Sequence, residues 1–339
     1  MRHPWEKQKS RSAGARGISE YIRNMRACLR SAEEQGFHIR RRGTRYSKKQ
    51  RRIACDAGRR LVREMNNYEI KKEALIQQMK SYASEDLIVA FSGGVDSSLL
   101  LKLACEAVKE TGKKVYGIFL QTMLHPVREA EEARRVAGEM GAVFCVLKID
   151  ELEGAGIADN PLDRCYRCKY HLFREIQKEA EKLGVLRILE GTNEDDLHVY
   201  RPGIRAVREL GIISPLADAK VTKEEVRLMA DEYGISVSQK PSTPCLATRF
   251  PYGTHISYEE MRKVEEGEAY LRNLGLYNVR LRVHGSIARI ETDLKDLHIV
   301  MERRDMLVEY LKKLGYTYVT LDLEGFRSGS MDVERVVTD

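Results

Sequence analysis

The chain has 339 residues, 42% hydrophobic and 32% charged, with a formal net charge of +7. That suits a globular protein with one large or two modest cores. No apolar run approaches the roughly 20 residues that cross a bilayer, and no signal-peptide stretch follows the charged start, so a cytoplasmic protein without a membrane partner is expected.

The charge is uneven. Residues 1–64 hold 19 Lys+Arg against 6 Asp+Glu, leaving 39 basic and 45 acidic residues in the remainder. The basic front includes Arg40-Arg41-Arg42 and Lys48-Lys49-Gln50-Arg51-Arg52. It reads either as an arm that neutralises nucleic-acid phosphates or as a poorly ordered or untranslated tail, with Met65 the true start. Nucleic acid is expected as a partner only through this extension. Cys28 and Cys55 fall in it and take no role.

Beyond it, the spacing of Ile70, Leu75, Ile76 and Met79 predicts an introductory helix over 68–82. An apolar run at 87–91 predicts a buried strand, and Leu99, Leu100, Leu103, Ala104 and Val108 predict the helix after it. Strands at 115–120, 142–149 and 186–190 alternate with helices at 128–140 and 168–183. This alternation argues an α/β fold built on a doubly wound parallel sheet, with ligands beyond the carboxyl ends of the strands. Thr222 with Glu225 signals a capped helix to Tyr233, stopped by Gly234. Pro241-Ser242-Thr243-Pro244 marks a domain junction. Ser257 with Glu260 opens a helix to 274. Strands at 279–283 and 288–291 around a His284-Gly285 turn, a helix at 294–314 and a strand at 318–321 complete a smaller C-terminal α+β domain. The expected organisation is thus extension 1–64, nucleotide domain 65–240 and substrate domain 241–339.

Between the first strand and its helix lies Ser92-Gly93-Gly94-Val95-Asp96-Ser97-Ser98. Amides and hydroxyls at a helix start make an anion site, with Asp96, Ser97 and Ser98 expected to cap the helix. No Walker G-x-x-x-x-G-K-[ST] occurs. A loop without that lysine suits pyrophosphate as a leaving group better than γ-phosphoryl transfer. Seven cysteines, two of them in a C-x-x-C pair (Cys165, Cys168), favour metal, cluster or redox chemistry over structural disulfides. Cys168 lies among Arg164, Arg167 and Lys169, which would lower its thiol pKa. Cys245, in a proline-bounded loop with Arg249, reads as an exposed thiolate. Three thiolates without a fourth suit a [4Fe-4S] cluster with one open iron, while a zinc or redox pair beside a buried loop cysteine remains the alternative. Cys105 and Cys145 read as small core residues.

The loop resembles the pyrophosphate loop of the PP-loop ATP pyrophosphatase superfamily, and Gly191-Thr192-Asn193-Glu194-Asp195-Asp196 resembles its nucleotide-proximal G-T-N-x-D-D. Together with N-P-x-D-R-C-Y-x-C-K from Asn160, P-C-L-A-T-R-F-P-Y-G from Pro244 and G-F-R-S-G-S-M from Gly325, the chain from Met65 on closely resembles the LarE family. These are ATP-dependent sulfur transferases of nickel-pincer nucleotide biosynthesis, named for lactate racemase maturation.

The resemblance implies a pyridinium dicarboxylate mononucleotide substrate, ATP with Mg²⁺ (Asp96 a possible ligand), and acyl-adenylates converted to thiocarboxylates. Ser92, Gly93, Gly94, Val95, Asp96, Ser97, Ser98, Gly191, Thr192, Asn193 and Asp196 would hold ATP and pyrophosphate. Cys165, Cys168 and Cys245 would hold a [4Fe-4S] cluster fed by sulfide or another sulfur donor. Arg280, Arg282 and Arg327 would bind the substrate phosphate, and Arg280 and Arg282 do alternate along one strand face. A homo-oligomer is expected. Two competing readings stand beside it: a PP-loop tRNA thiolase, favoured by the basic front and disfavoured by the acidic body, and a non-catalytic nucleotide sensor.

Overall fold

The structure, a computed structural model, describes residues 48–122, 124, 129–199, 201–240, 244–327 and 329–331, without the side chains of 48–64 and 129. Most of the basic front, the first three residues of the expected junction at Pro241-Ser242-Thr243, and Ser328 lie outside the described residues. The chain divides between Glu69 and Ile70 into two compact units, and every element except the start of the first helix belongs to the second.

That first helix, α1 (Lys48–Tyr82), starts well before the predicted 68. The apolar spacing marked only its second half. The preceding stretch is rich in Lys and Arg, contains no proline and continues the helix on propensity.

A four-stranded sheet follows. Strands β1 (Leu87–Ala90), β2 (Val115–Gln121), β3 (Val143–Lys148) and β4 (Arg187–Leu189) lie in the order β3-β2-β1-β4, all parallel. Ile213 adds a parallel bridge to Leu189. The chain therefore winds outward from β1 to β3 and then crosses back to β4 on the other side of β1. The switch point lies between the carboxyl ends of β1 and β4, where such sheets bind ligands.

Helices cover both faces. Helix α2 (Val95–Ala107) buries Leu99, Leu100, Leu103 and Ala104, and its Leu101 rests on Gly117 of β2, where a Cβ would come within 3.4 Å. Helix α3 (Glu129–Met140) packs on α2 and β3. After the short α4 (Glu151–Gly154), α5 (Arg164–Leu183) presents Phe173, Ile176 and Ala180 to Ile88, Ile118 and Ile188 of the sheet. Each such buried aliphatic side chain is worth roughly 1.5–3 kcal/mol. Helix α5 begins four residues earlier than predicted, so both residues of the C-x-x-C pair sit in its first turns.

The remaining helices are α6 (Gly203–Glu209), α7 (Pro215–Asp218), α8 (Lys223–Glu232) and α9 (Tyr258–Asn273). Thr222 and Glu225 form the full reciprocal capping box on α8. At α9 only half of it forms: Ser257 accepts from the Glu260 amide at 3.2 Å, while the Glu260 carboxylate turns to Lys263.

The second sheet has the order β5-β6-β7, with β5 (Val279–His284) antiparallel to β6 (Ile287–Thr292) and β7 (Tyr318–Leu321) parallel to it. The β5–β6 turn is Gly285-Ser286, one residue later than predicted, with Gly285 at φ +59°. The helix expected over 294–314 is broken. A 3-10 turn at Leu294–Asp296 leads into α10 (Leu297–Glu302), and Arg303 leaves the helix (φ −108°, ψ 15°) to cap α11 (Arg304–Lys313). The core beneath this sheet also takes in Leu124, Leu152 and Ile157, which follow β2 and β3 in the chain. Among the described residues no helix is long and apolar enough to cross a membrane.

Candidate active site

The loop after β1 is built on Gly93, whose φ of +71° is costly for any residue with a side chain and whose would-be Cβ meets Ala133 at 3.2 Å. The expected caps differ. Gly94 is the N-cap of α2 and makes no side-chain cap bond, so the first amides keep no internal partner. Instead Ser97 Oγ donates to the Gly94 carbonyl at 3.2 Å and accepts from the Ser92 amide at 3.3 Å, while the Gly94 amide reaches Ser92 Oγ at 3.4 Å. The serines thus brace the loop from within, and the free end of α2 points at whatever anion occupies the loop. Val95 and Ser98 are buried beneath it, and Ser98 Oγ has no partner.

Asp96 is turned toward the β4 loop. Asn193 Nδ2 donates to its Oδ1 at 3.1 Å, and Lys223 at the start of α8 pairs with its Oδ2. Asn193 also caps its own turn, accepting from the amides of Asp195 and Asp196. Gly191 allows this approach, because a Cβ there would stand 3.0 Å from the Ser97 amide nitrogen and 3.2 Å from Asp96 Cβ. The glycine is read as a space requirement, since no strained φ is involved. Burial pushes the Asp196 carboxyl up against the opposing charge of Arg201. For Glu190, burial alone would raise the carboxyl, but the charge of Lys169 and hydrogen bonds from Ser214 and Thr192 outweigh it and hold it below the usual range.

Two sequence segments carry the cysteines, and a polar knot joins them. Asn160, fully buried at φ +47°, donates to the carbonyls of Phe250 (3.2 Å) and Pro251 (2.7 Å) and accepts from Arg164. Arg164 also donates to the Ala247 carbonyl at 3.2 Å and lies over the Tyr252 ring at 4.6 Å. On the far side Arg249, 2% exposed, pairs with Glu268 at 2.8 Å and donates to the carbonyls of Pro244 (2.9 Å) and Cys245 (3.1 Å). From α4, the buried Glu151 accepts from the Leu124 amide at 2.6 Å, and the Leu124 carbonyl accepts from Leu246 at 3.0 Å.

As a result Cys165, Cys168 and Cys245 line one cavity of about 440 Å³ together with Ser92, Asp96, Ser97, Gly191, Thr192 and Asp196. All three thiols are free. Their chemistry differs from the sequence expectation. Burial pushes the Cys168 thiol up, and the nearby Cys245, Glu151 and Cys165 add to it against the single opposing charge of Arg164. Cys245 is half-buried rather than exposed, and burial raises its thiol to about 11. The flanking cations did not decide the matter because Arg167 pairs with Asp163 and Lys169 with Glu190. Among the described residues no three His, Cys, Asp or Glu side chains are grouped closely enough to hold one metal ion.

The three C-terminal arginines are not among the residues lining this cavity. Arg282 is buried and ion-paired with Glu291 at 2.9 Å, and Arg327 is exposed and paired with Glu324. Arg280 has no carboxylate partner among the described residues. It lies over the Phe326 ring at 5.0 Å and donates to the Val279 carbonyl, and burial, with the charges of Arg249, Arg282 and Arg272, lowers it to about 10. Sequence reading assigned no site role to Glu151, Glu190, Asn160 or Lys223 and took Arg164 and Lys169 only as cations beside the cysteines. Asn160, Arg164 and Lys169 left a signal as fixed members of the first cysteine motif.

A glycine turn at the switch point of a parallel sheet, facing a second loop and reactive side chains across one cavity, defines a PP-loop nucleotide enzyme. Residues 67–158 match the NAD synthase family. An uncharacterized protein of Synechocystis is 36% identical over 78% of this chain and 99% of its own length. The pyridinium-3,5-bisthiocarboxylic acid mononucleotide synthase of Lactiplantibacillus plantarum is 35% identical over 77% of this chain and 94% of its own length. A tRNA-specific 2-thiouridylase of Rickettsia bellii is more distant, 27% identical over 46% of this chain and 52% of its own length. The chain belongs to the LarE family of ATP-dependent sulfur transferases.

Proposed function

We propose that this enzyme adenylates the carboxylates of a pyridinium dicarboxylate mononucleotide and converts them to thiocarboxylates, a step of nickel-pincer nucleotide biosynthesis. The observation that carries this reading is the single cavity shared by the pyrophosphate loop and three free cysteines. A carboxylate is a poor electrophile. Attack of its oxygen on the α-phosphorus of ATP releases pyrophosphate, leaving an acyl carbon whose leaving group is AMP. The amides at the start of α2 and the hydroxyls of Ser92 and Ser97 face the departing pyrophosphate and stabilise its charge. Asp96 and Asp196, two carboxylates on one cavity, would hold a hard cation such as Mg²⁺, which would supply positive charge against the phosphates. A sulfide-level nucleophile (hydrosulfide from the sulfur donor) then attacks the acyl carbon, the C–S bond forms as the C–O bond to AMP breaks, and thiocarboxylate, AMP and a proton result.

In this reading Cys245 takes part in that transfer; it lines the cavity, and its backbone carbonyl accepts from Arg249, which holds the segment in place. The donor set of Cys165, Cys168 and Cys245 fits the three protein ligands of a [4Fe-4S] cluster in kind and number, and binding would require the Cys168 and Cys245 thiols, raised by burial, to lose their protons. When bound, such a cluster supplies one iron free to take exogenous sulfide. Arg280, the arginine of the three without an acid partner, is the member suited to the substrate phosphate.

The test is turnover of ATP to AMP and pyrophosphate that depends on the dicarboxylate mononucleotide, with mass spectrometry for oxygen-to-sulfur exchange. Metal and sulfide analysis of anaerobically purified protein addresses the cluster. Dicarboxylate-independent ATP hydrolysis with no sulfur in the product would overturn the reading.

A further inference from the structure

Three cations line the cavity of the pyrophosphate loop and cysteines. Lys169 is paired with Glu190 at 3.1 Å and Arg201 with Asp196 at 2.9 Å. Arg164 has no carboxylate within ion-pair reach among the described residues, although it is only 5% exposed. Its hydrogen bonds run from Nη1 alone, to Asn160 and the Ala247 carbonyl, and its plane rests on Tyr252. These contacts fix the guanidinium in place and supply no negative charge. A cation withdrawn from water without a counter-ion is unfavourable. A guanidinium with Nε and Nη2 unused matches a carboxylate in bidentate geometry.

We propose that Arg164 is the receptor for a carboxylate of the substrate ring, holding it in the cavity between the pyrophosphate loop and the thiols. The inference rests on the proposed dicarboxylate substrate. It identifies the first cysteine motif as a binding element as well as a carrier of thiols, since the arginine immediately precedes Cys165. Arg164 sets which pyridinium nucleotides are accepted: a carboxylate completes its charge, whereas a carboxamide of the same shape leaves it uncompensated.

The experiment measures, by isothermal titration calorimetry on the full chain, the affinities for nicotinic acid mononucleotide, nicotinamide mononucleotide and the pyridinium-3,5-dicarboxylate mononucleotide. Wild type is expected to prefer the carboxylate over the carboxamide by roughly ten- to hundredfold, the worth of a hydrogen bond to a charged group. Arg164→Gln is expected to abolish that preference. A merely structural role would weaken all ligands alike and leave the preference intact, which would overturn the inference. Should Arg164→Gln fail to fold, Arg164→Lys is measured in the same way. It retains the charge without the fork, and a preference equal to that of wild type overturns the bidentate assignment. Wild type that ignores the dicarboxylate altogether refutes the proposed function instead, so the two failures are told apart.

Discussion

Replacing Asn160 by alanine tests whether the knot between the two cysteine segments assembles the site. Its Nδ2 is the donor to the Phe250 and Pro251 carbonyls, at 3.2 and 2.7 Å, and its Oδ1 accepts from Arg164. The residue is fully buried, so water cannot replace these bonds. Each buried group left unsatisfied costs about 1–3 kcal/mol, with the charged Arg164 at the upper end. The backbone adds to this. At φ +47° asparagine is tolerated, whereas alanine bears the left-handed cost of roughly 1–2 kcal/mol. The expected loss is about 4 kcal/mol or more, a large share of the 5–15 kcal/mol that holds a domain folded. Urea unfolding measures it, and Asn160→Gly separates the contributions. Glycine removes the backbone cost but restores no hydrogen bond, so it should lie about 1 kcal/mol above alanine and well below wild type. Alanine within about 1 kcal/mol of wild type, or glycine equal to wild type, would refute the reasoning.

Other substitutions probe single links. Gly191→Ala would set a Cβ 3.0 Å from the Ser97 amide, so ATP affinity should fall at least about tenfold with the circular dichroism spectrum unchanged, as read by calorimetry. Iodoacetamide followed by peptide mass mapping should label the exposed Cys165 well before Cys245, whose thiol stands at about 11; simultaneous labelling would contradict the burial argument. The Glu190 carboxyl is held low in the folded state, so its stabilisation is complete above the ordinary glutamate pKa and is lost as pH falls through the folded value. Glu190→Gln should therefore flatten the acid limb of melting temperature against pH. Arg282→Met removes one of two arginines from the fully buried Glu291, which keeps its pair with Arg289 at 3.1 Å, and should destabilise by about 1–3 kcal/mol, whereas Arg280→Met should lower affinity for the phosphorylated substrate with a smaller effect on the melt.

Much of the fold was legible because its signals are local. The apolar run before Ser92, the period of α2 and the Thr222 box are decided within a few residues of chain. The misplaced boundaries fall where local signals compete: α5 begins in a segment with no acidic residue in its first turn, and Arg303 interrupts a helix without proline or glycine. The state of the thiols was not legible. Sequence shows three basic residues beside Cys165 and Cys168, but not that Arg167 and Lys169 are already paired, nor that desolvation outweighs Arg164. The same holds for Arg282. Alternation on a strand places its side chain on the right face, but the cross-strand neighbourhood supplies Glu291, which takes the guanidinium.

These discrepancies share a cause, and the cause bears on the chemistry. Charges that look available in the sequence are mostly spent on one another in the fold, because a buried ion pair with one partner removed is strongly unfavourable. Lys169, Arg201, Lys223 and Arg282 each have a carboxylate. Against that background the cations without one stand out. Arg164, buried in the knot that brings Cys165 and Cys168 to Cys245, and Arg280, half-buried over Phe326, both lack an ion-paired acid among the described residues. A substrate carrying a ring carboxylate and a phosphate would supply an anion for each of these two guanidiniums, as the proposed function and the inference about Arg164 require.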